Sequence, residues 1–238
     1  MVFSVKEAWG NNPAEFFNND FLQSQSSLSV DFVPAVLIPL IIVWVITIGT
    51  LALGVQNGVG NMSKFFVPLL AALFLILVVR SLFLSGASDG LEVFFHANWN
   101  LLSDGKVWIA AYSQIFFSLS VGYGIMITYS SYLKRRTDLA GSSLVVAFAT
   151  TSFQVLAGIC VFAALGFLAH QQGTSVDSVA ANGIGLAFIA FPSVISQMHG
   201  GPIFGVLFFL SLVLAGLTSS ISLVEVVAAA FQDKFGSV

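Results

Sequence analysis

The run from Val107 to Leu133 contains no charged residue, and Ser118-Leu119-Ser120-Val121-Gly122-Tyr123-Gly124 stands in its middle. A segment at that depth in lipid must satisfy its own backbone hydrogen bonds. Glycine weakens a helix interior by about 1 kcal/mol relative to alanine. Serine offers the backbone competing hydrogen bonds. Two serines and two glycines at alternate positions therefore predict a helix broken near the bilayer midplane. Irregular backbone is tolerated there only where protein buries it or where it lines a wet cavity. The other reading is a kinked, continuous helix whose small residues serve close helix packing.

The rest of the chain has the same character. Charged residues make up 8% and hydrophobic residues 57%, with a mean hydropathy of +0.96; soluble domains carry about 25% charged residues. A hydrocarbon core about 30 Å thick needs about 20 apolar residues in helical form. Five runs meet that need, at about 32–55, 65–85, 107–133, 139–170 and 201–231. The second reaches its end with Arg80 snorkelling to the interface. The apolar stretch Gly183 to Phe191 is too short to cross and predicts a short loop helix over about 183–196. The fold class is all-α, a polytopic membrane protein partnered by the lipid bilayer.

Lys64, Lys134, Arg135, Arg136 and Lys234 fall in loops of one side, which the positive-inside tendency makes cytoplasmic. The acids Glu7, Glu15, Asp20, Asp31, Asp89, Glu92, Asp104 and Asp177 fall on the other. Residues 1–31 then form an extracellular loop, 32–231 the five-helix membrane portion and 232–238 a cytoplasmic end. This describes a multi-pass protein of the cell membrane.

Several function classes are disfavoured. No basic stripe suits nucleic acid. The lone Cys160 lies within a span and forms no intrachain disulfide. Met1 to Trp9 lacks the apolar core of a cleavable signal. His96, His170 and His199 lack metal-ligand spacing. There is no Ser-His-Asp arrangement, Walker motif or dinucleotide fingerprint. A membrane hydrolase would need a histidine or a paired acid beside the hydroxyls, so no enzyme is predicted.

The segment from Gln114 to Gly124, followed by Thr128-Tyr129, resembles the sixth helix of the neurotransmitter:sodium symporter family, in particular its bacterial-type members. Ala215-Gly216-Leu217-Thr218-Ser219-Ser220 is similar to the eighth helix of that family, and Phe191-Pro192 with Ser196-Gln197 to its fourth extracellular loop. The resemblance implies part of an inverted-repeat, five-plus-five helix fold with substrate and ion sites at broken helices. It implies a secondary transporter that couples sodium entry to uptake of a neutral amino acid or related small amine by alternating access. It also implies a fragment, covering the second extracellular loop and helices four to eight, whose partners include the missing helices of the full-length transporter. The alternative is a non-transporting binding or regulatory member of the same fold.

The resemblance assigns Ala215, Thr218 and Ser219 to the second sodium site. They stand at i, i+3 and i+4 and share a helix face. One carbonyl and two hydroxyls are hard oxygen donors suited to sodium. The plainer reading is that the hydroxyls bond back to the i−4 carbonyl. Ser118 falls where the family places a hydroxyl ligand of the first sodium site, and Thr150 occupies a position usually held by Asn. Gln154 stands where chloride-dependent members have Ser and many chloride-independent members have an acid. With Gln114 and Ser118 it forms a possible chloride site, and the chloride requirement stays open. For substrate, Phe117, Ser118, Ser120 and Tyr123 face Ser219 and Leu223. No charged residue belongs to that set, which favours a neutral amino acid over a dicarboxylate or a cation. Glu225, the acid embedded in a span, reads as a structural hydrogen-bonding group to a helix outside this chain rather than a proton relay.

Overall fold

The computed structural model describes residues 2–10, 12–23, 32–179, 186–197 and 199–236, and every regular element among them is helical. Helix α1 (Pro34–Ala52) starts on a proline, whose fixed φ suits the first helical position. After a π-helical turn, Val55–Gly60, comes α2 (Asn61–Leu82). The short α3 (Ala87–Phe95) follows Gly86 in the left-handed region. Helix α4 (Gly105–Ser118) is capped by Asp104, whose side chain accepts from the Lys106 amide at 2.9 Å. Helix α5 (Ile125–Ser131) has only seven residues. Asp138 caps α6 (Leu139–Gln172) through the Gly141 amide at 2.9 Å, and Gly173 at φ +64° ends it. A short α7 (Phe191–Gln197) leads into α8 (Gly201–Phe235).

Among the described residues, four helices are long and apolar enough to cross a membrane: Pro34–Ala52, Asn57–Leu82, Leu139–Gln172 and Gly201–Phe235. The expected span over 107–133 is not one helix. Its first part is α4, whose 14 residues reach about 21 Å at 1.5 Å per residue. Its second part is α5, and the backbone between them is irregular. The second long helix begins before the predicted 65, with Lys64 inside α2; a lysine near a helix end snorkels and does not stop the helix. Of the expected loop helix, residues 183–185 lie outside the described residues. Leu186–Ala190 is a π-turn and α7 continues it.

The core gathers around the second half of α6. Cys160, Ala163, Ala164, Phe167 and Leu168 pack with Leu77 and Val78 of α2, Val194 and Ile195 of α7, and Phe204 and Phe208 of α8. Phe191 stacks on Phe208 with centroids 4.2 Å apart. Helix α3 lies so close to α6 that a Cβ on Gly90 would run into the Phe162 carbonyl, and one on Gly166 would meet Gly86 and Gly90. Residues 2–10 and 12–23 fold as short helical pieces near the start of α8, and the Trp9 indole donates to Ser196 Oγ at 2.6 Å. By contrast, no residue of α4 or α5 is buried, and α1 buries only Thr47 and Thr50. The apolar faces left open on these helices, with Trp108, Ile109, Ile127 and Val45 among them, are too extensive for a protein meant to face water.

The close contact of α3 with α6 gives a stability prediction. Gly90→Val should lower the thermal midpoint of the detergent-solubilised chain, at a cost of about 1–3 kcal/mol for overpacking. Gly105→Ala, at a site where a Cβ meets nothing within 4 Å, should leave the midpoint nearly unchanged. Circular-dichroism melts of both variants test the contrast.

Candidate functional site

The break between α4 and α5 is built from left-handed backbone at alternate residues: Ser120 at φ +55°, Gly122 at +90° and Gly124 at +78°. The glycines adopt this conformation freely. Ser120 does so at a cost of about 1–2 kcal/mol. The chain stays partly hydrogen-bonded through the turn, with Leu119 N donating to Ile115 O at 3.0 Å and Val121 N to Phe116 O at 2.9 Å. Past it, Thr128 N donates to Gly124 O at 2.9 Å and regular helix resumes.

A cavity of about 480 Å³ opens at the break, within the range of about 300–1,000 Å³ usual for small-molecule sites. Phe117, Ser118, Ser120, Tyr123 and Ile125 line it from the interrupted helix; Thr218, Ser219, Ser222 and Leu223 line it from α8, and Ser63 and Val67 from α2. The Phe117 and Tyr123 rings meet edge to face, with centroids 6.3 Å apart. They are 68% and 46% exposed, so neither is spent on core packing among the described residues. No acid or base lines the cavity.

Several of its hydroxyls are turned towards carbonyls. Ser118 Oγ donates to Ile115 O at 3.0 Å, and Thr218 Oγ1 lies 3.0 Å from both Leu214 O and Ala215 O. Ser222 Oγ donates to Thr218 O at 3.1 Å and accepts from the Tyr129 hydroxyl at 2.9 Å. Back-bonding of this kind and cation binding are compatible: a hydroxyl that has given its proton to a carbonyl still has lone pairs to present.

Seven of the expected site residues therefore meet at one place: Phe117, Ser118, Ser120, Tyr123, Thr218, Ser219 and Leu223. Ala215, Gln114, Thr150 and Gln154 do not line the cavity. Ala215 is half-buried on α8, and its carbonyl accepts from Thr218. Gln114 is exposed on α4, one turn before Ser118, while Thr150 and Gln154 are half-buried on α6. Ser63, Val67, Ile125 and Ser222 are additions. Ser222 follows Thr218 and Ser219 at i+4 and i+3, so the helical period marks it. Ser63 and Val67 belong to a distant segment that carries no sequence signal towards the break.

Helix α5 is held to α8 by two side-chain bonds. Tyr129 pairs with Ser222, and the Tyr132 hydroxyl donates to Glu225 Oε1 at 2.7 Å. Both pairs are 93 residues apart in sequence, so α5 and α8 run side by side in the same direction. Glu225 is only 7% exposed. Its partner belongs to this chain, contrary to the expectation of a helix outside it: the half-helix turns its tyrosines towards α8 at the same three-residue spacing as Ser222 and Glu225.

Comparison with known proteins points the same way. Residues 3–238 match the profile of the sodium:neurotransmitter symporter family. An uncharacterised sodium-dependent transporter of Methanocaldococcus jannaschii is 36% identical over 99% of this chain and 48% of its own length. The human sodium- and chloride-dependent neutral and basic amino acid transporter B(0+) is 34% identical over 96% of the chain and 36% of its own length. The sodium-dependent serotonin transporter of Drosophila melanogaster is 34% identical over 94% and 36%. The chain thus spans between about a third and a half of the length of these three relatives.

The α5–α8 pairing yields its own prediction. Tyr132→Phe should strand the buried Glu225 carboxyl and destabilise the folded chain by about 1–3 kcal/mol. The double variant Tyr132→Phe with Glu225→Leu should recover most of that loss, because both polar partners are then gone. Denaturant unfolding in micelles measures both.

Proposed function

The chain belongs to the sodium:neurotransmitter symporter family of integral membrane transporters, and from that premise we propose that it supplies part of a secondary transporter coupling sodium entry to uptake of a neutral amino acid or related small amine. The observation that carries this reading is the charge-free, hydroxyl-rich cavity where the broken helix meets the Thr218–Leu223 face of α8. Seven of its lining residues carry hydroxyls: Ser63, Ser118, Ser120, Tyr123, Thr218, Ser219 and Ser222. Hydroxyl oxygens and backbone carbonyls suit a hard, singly charged cation. The Phe117 and Tyr123 rings suit an apolar side chain.

In this proposal Thr218, Ser219 and the Ala215 carbonyl hold one sodium ion, and Ser118, helped by Thr150, holds another. Phe117, Ser120, Tyr123, Ser219 and Leu223 contact the substrate. Its polar groups meet the irregular backbone between Ser118 and Gly124, where helix ends leave amides and carbonyls free. Sodium favours the outward-open form, substrate joins it, and the site is then exposed to the inside. Gln114, Ser118 and Gln154 form the candidate chloride surroundings.

A second reading, a binding or regulatory member without transport, is favoured by one observation. Thr150 and Gln154 stand outside the cavity, so coupling through them would need a rearrangement. Sodium-driven accumulation of labelled amino acid in proteoliposomes of the full-length transporter distinguishes the two, since the second reading allows binding without accumulation.

Two predictions follow from the assigned roles. In the full-length transporter, Thr218→Val combined with Ser219→Ala should raise the sodium concentration for half-maximal uptake by about tenfold or more, as expected when ligands to a charged group are lost. Unchanged sodium dependence would remove the α8 site from the mechanism. Gln154→Glu should make uptake less dependent on chloride, because a fixed negative charge then balances buried sodium. Parallel uptake series in chloride and in gluconate check this, and identical responses in both forms would dismiss Gln154 from anion binding.

A further inference from the structure

Of the hydroxyls that line the cavity at the break, three are spent within the chain. Ser118 and Thr218 donate to carbonyls of their own helices, and Ser222 both donates to Thr218 O and accepts from Tyr129. Ser63 Oγ is different. It lines the cavity from α2 and has no hydrogen-bond partner among the described residues. A helical serine commonly bonds back to the carbonyl four residues earlier. One that does not has both its lone pairs to give.

The place of Ser63 follows from the packing of α2 on α8. Val59, Met62 and Phe66 gather with Leu217 and Ile221 in one apolar cluster. Ser63 and Val67 stand one residue past Met62 and Phe66, as Thr218 and Ser222 stand one residue past Leu217 and Ile221. One residue turns a helix by about 100°, so both pairs lie beside the apolar seam, and both line the cavity. The first turn of α2 is also held from behind. A Cβ on Gly58 would run into the Thr50 carbonyl, and Thr50 Oγ1 lies 3.0 Å from Met62 Sδ. Lys64, the next residue, is exposed and does not line the cavity.

We propose that Ser63 Oγ is a ligand to the sodium ion held by Thr218 and Ser219, so that the cation joins α2 to α8. The assignment rests on the sodium-coupled reading above and adds a residue to which that reading gives no role. Thr218 and Ser219 belong to one helix and offer oxygen from one side. A cation taken out of water is costly unless donors surround it. Ser63 faces the same space from a second helix, carries no competing bond, and is a hard oxygen donor. The substrate's polar groups have the irregular backbone of the break to meet, which leaves the hydroxyl beside the α8 stripe for the ion. Filling the site fastens the first turn of α2 to α8.

The test uses the full-length transporter in detergent micelles, with sodium chloride replacing potassium chloride at constant ionic strength. Thermal midpoints against sodium concentration give the half-saturating sodium, and hydrogen–deuterium exchange follows residues 61–66. In the wild type, sodium should raise the midpoint and slow exchange in that stretch. Ser63→Ala should raise the half-saturating sodium about tenfold, the lower end of what a bond to a charged partner is worth, and abolish the sodium protection of residues 61–66. Ser63→Thr, which keeps the oxygen, should titrate as the wild type does. Ser63→Cys, similar in size but with a soft donor, should behave like Ser63→Ala, whereas a residue that only packs would tolerate it. Should Ser63→Ala fail to fold, the threonine and cysteine variants carry the contrast. Wild-type titrations from Ser63→Ala or Ser63→Cys, with the response lost in Thr218→Val with Ser219→Ala, would overturn the role of Ser63 and leave the α8 site standing. A wild type indifferent to sodium would overturn the sodium-coupled reading itself, and the role of Ser63 with it.

Discussion

An interrupted helix in an apolar medium keeps its place only if a neighbour holds each half, and here α8 holds the second half, α5. The Tyr129–Ser222 and Tyr132–Glu225 bonds are spaced by three residues on both helices, so they fix direction and register together. The cavity above them depends on that register. If α5 slipped by one residue, Ser120 and Tyr123 would no longer face the α8 stripe of Thr218, Ser219, Ser222 and Leu223. The cost of burying Glu225 is offset by the tyrosine that reaches it, and the same bond positions a half-helix too short to be stable alone.

The packing divides the chain into a well-covered part and an open part. The second half of α6 is surrounded by α2, α3, α7 and α8, and close approach is possible because glycine and alanine occupy the contacts. The first half of α6, with α4 and most of α1, presents apolar side chains to its surroundings. In an integral membrane protein such faces meet lipid or other protein. The candidate cavity lies beside the open part, which explains how Phe117 and Tyr123 remain accessible.

Much of this was legible in the sequence, for physical reasons that differ by element. The break could be read because glycine and serine at alternate positions are a local signal with a known helix cost. The α8 stripe could be read because ligands on one helix face follow its period. Ser63 and Val67 could not, since nothing in their own segment points to the cavity and only the tertiary arrangement of α2 brings them there. Nor could the partner of Glu225, since a buried acid announces its need for a hydrogen bond but not the direction from which it comes. Phe17 likewise reads as one of several scattered apolar residues until the fold stacks it on Phe188, which in turn meets Phe209 of α8.

The long helices have one more consequence. Helix α1, with 19 residues, measures about 28 Å, close to the thickness of the hydrocarbon layer of about 30 Å. Helices α6 and α8, with 34 and 35 residues, measure about 51 and 53 Å. The three cannot all stand upright within one bilayer. The longer two must lean or project beyond it, and the buried half of α6, clasped by α3 and α7, is the part that gains from projecting. Helix that projects beyond lipid needs another cover for its apolar side chains, and α3 and α7 supply one to this half of α6.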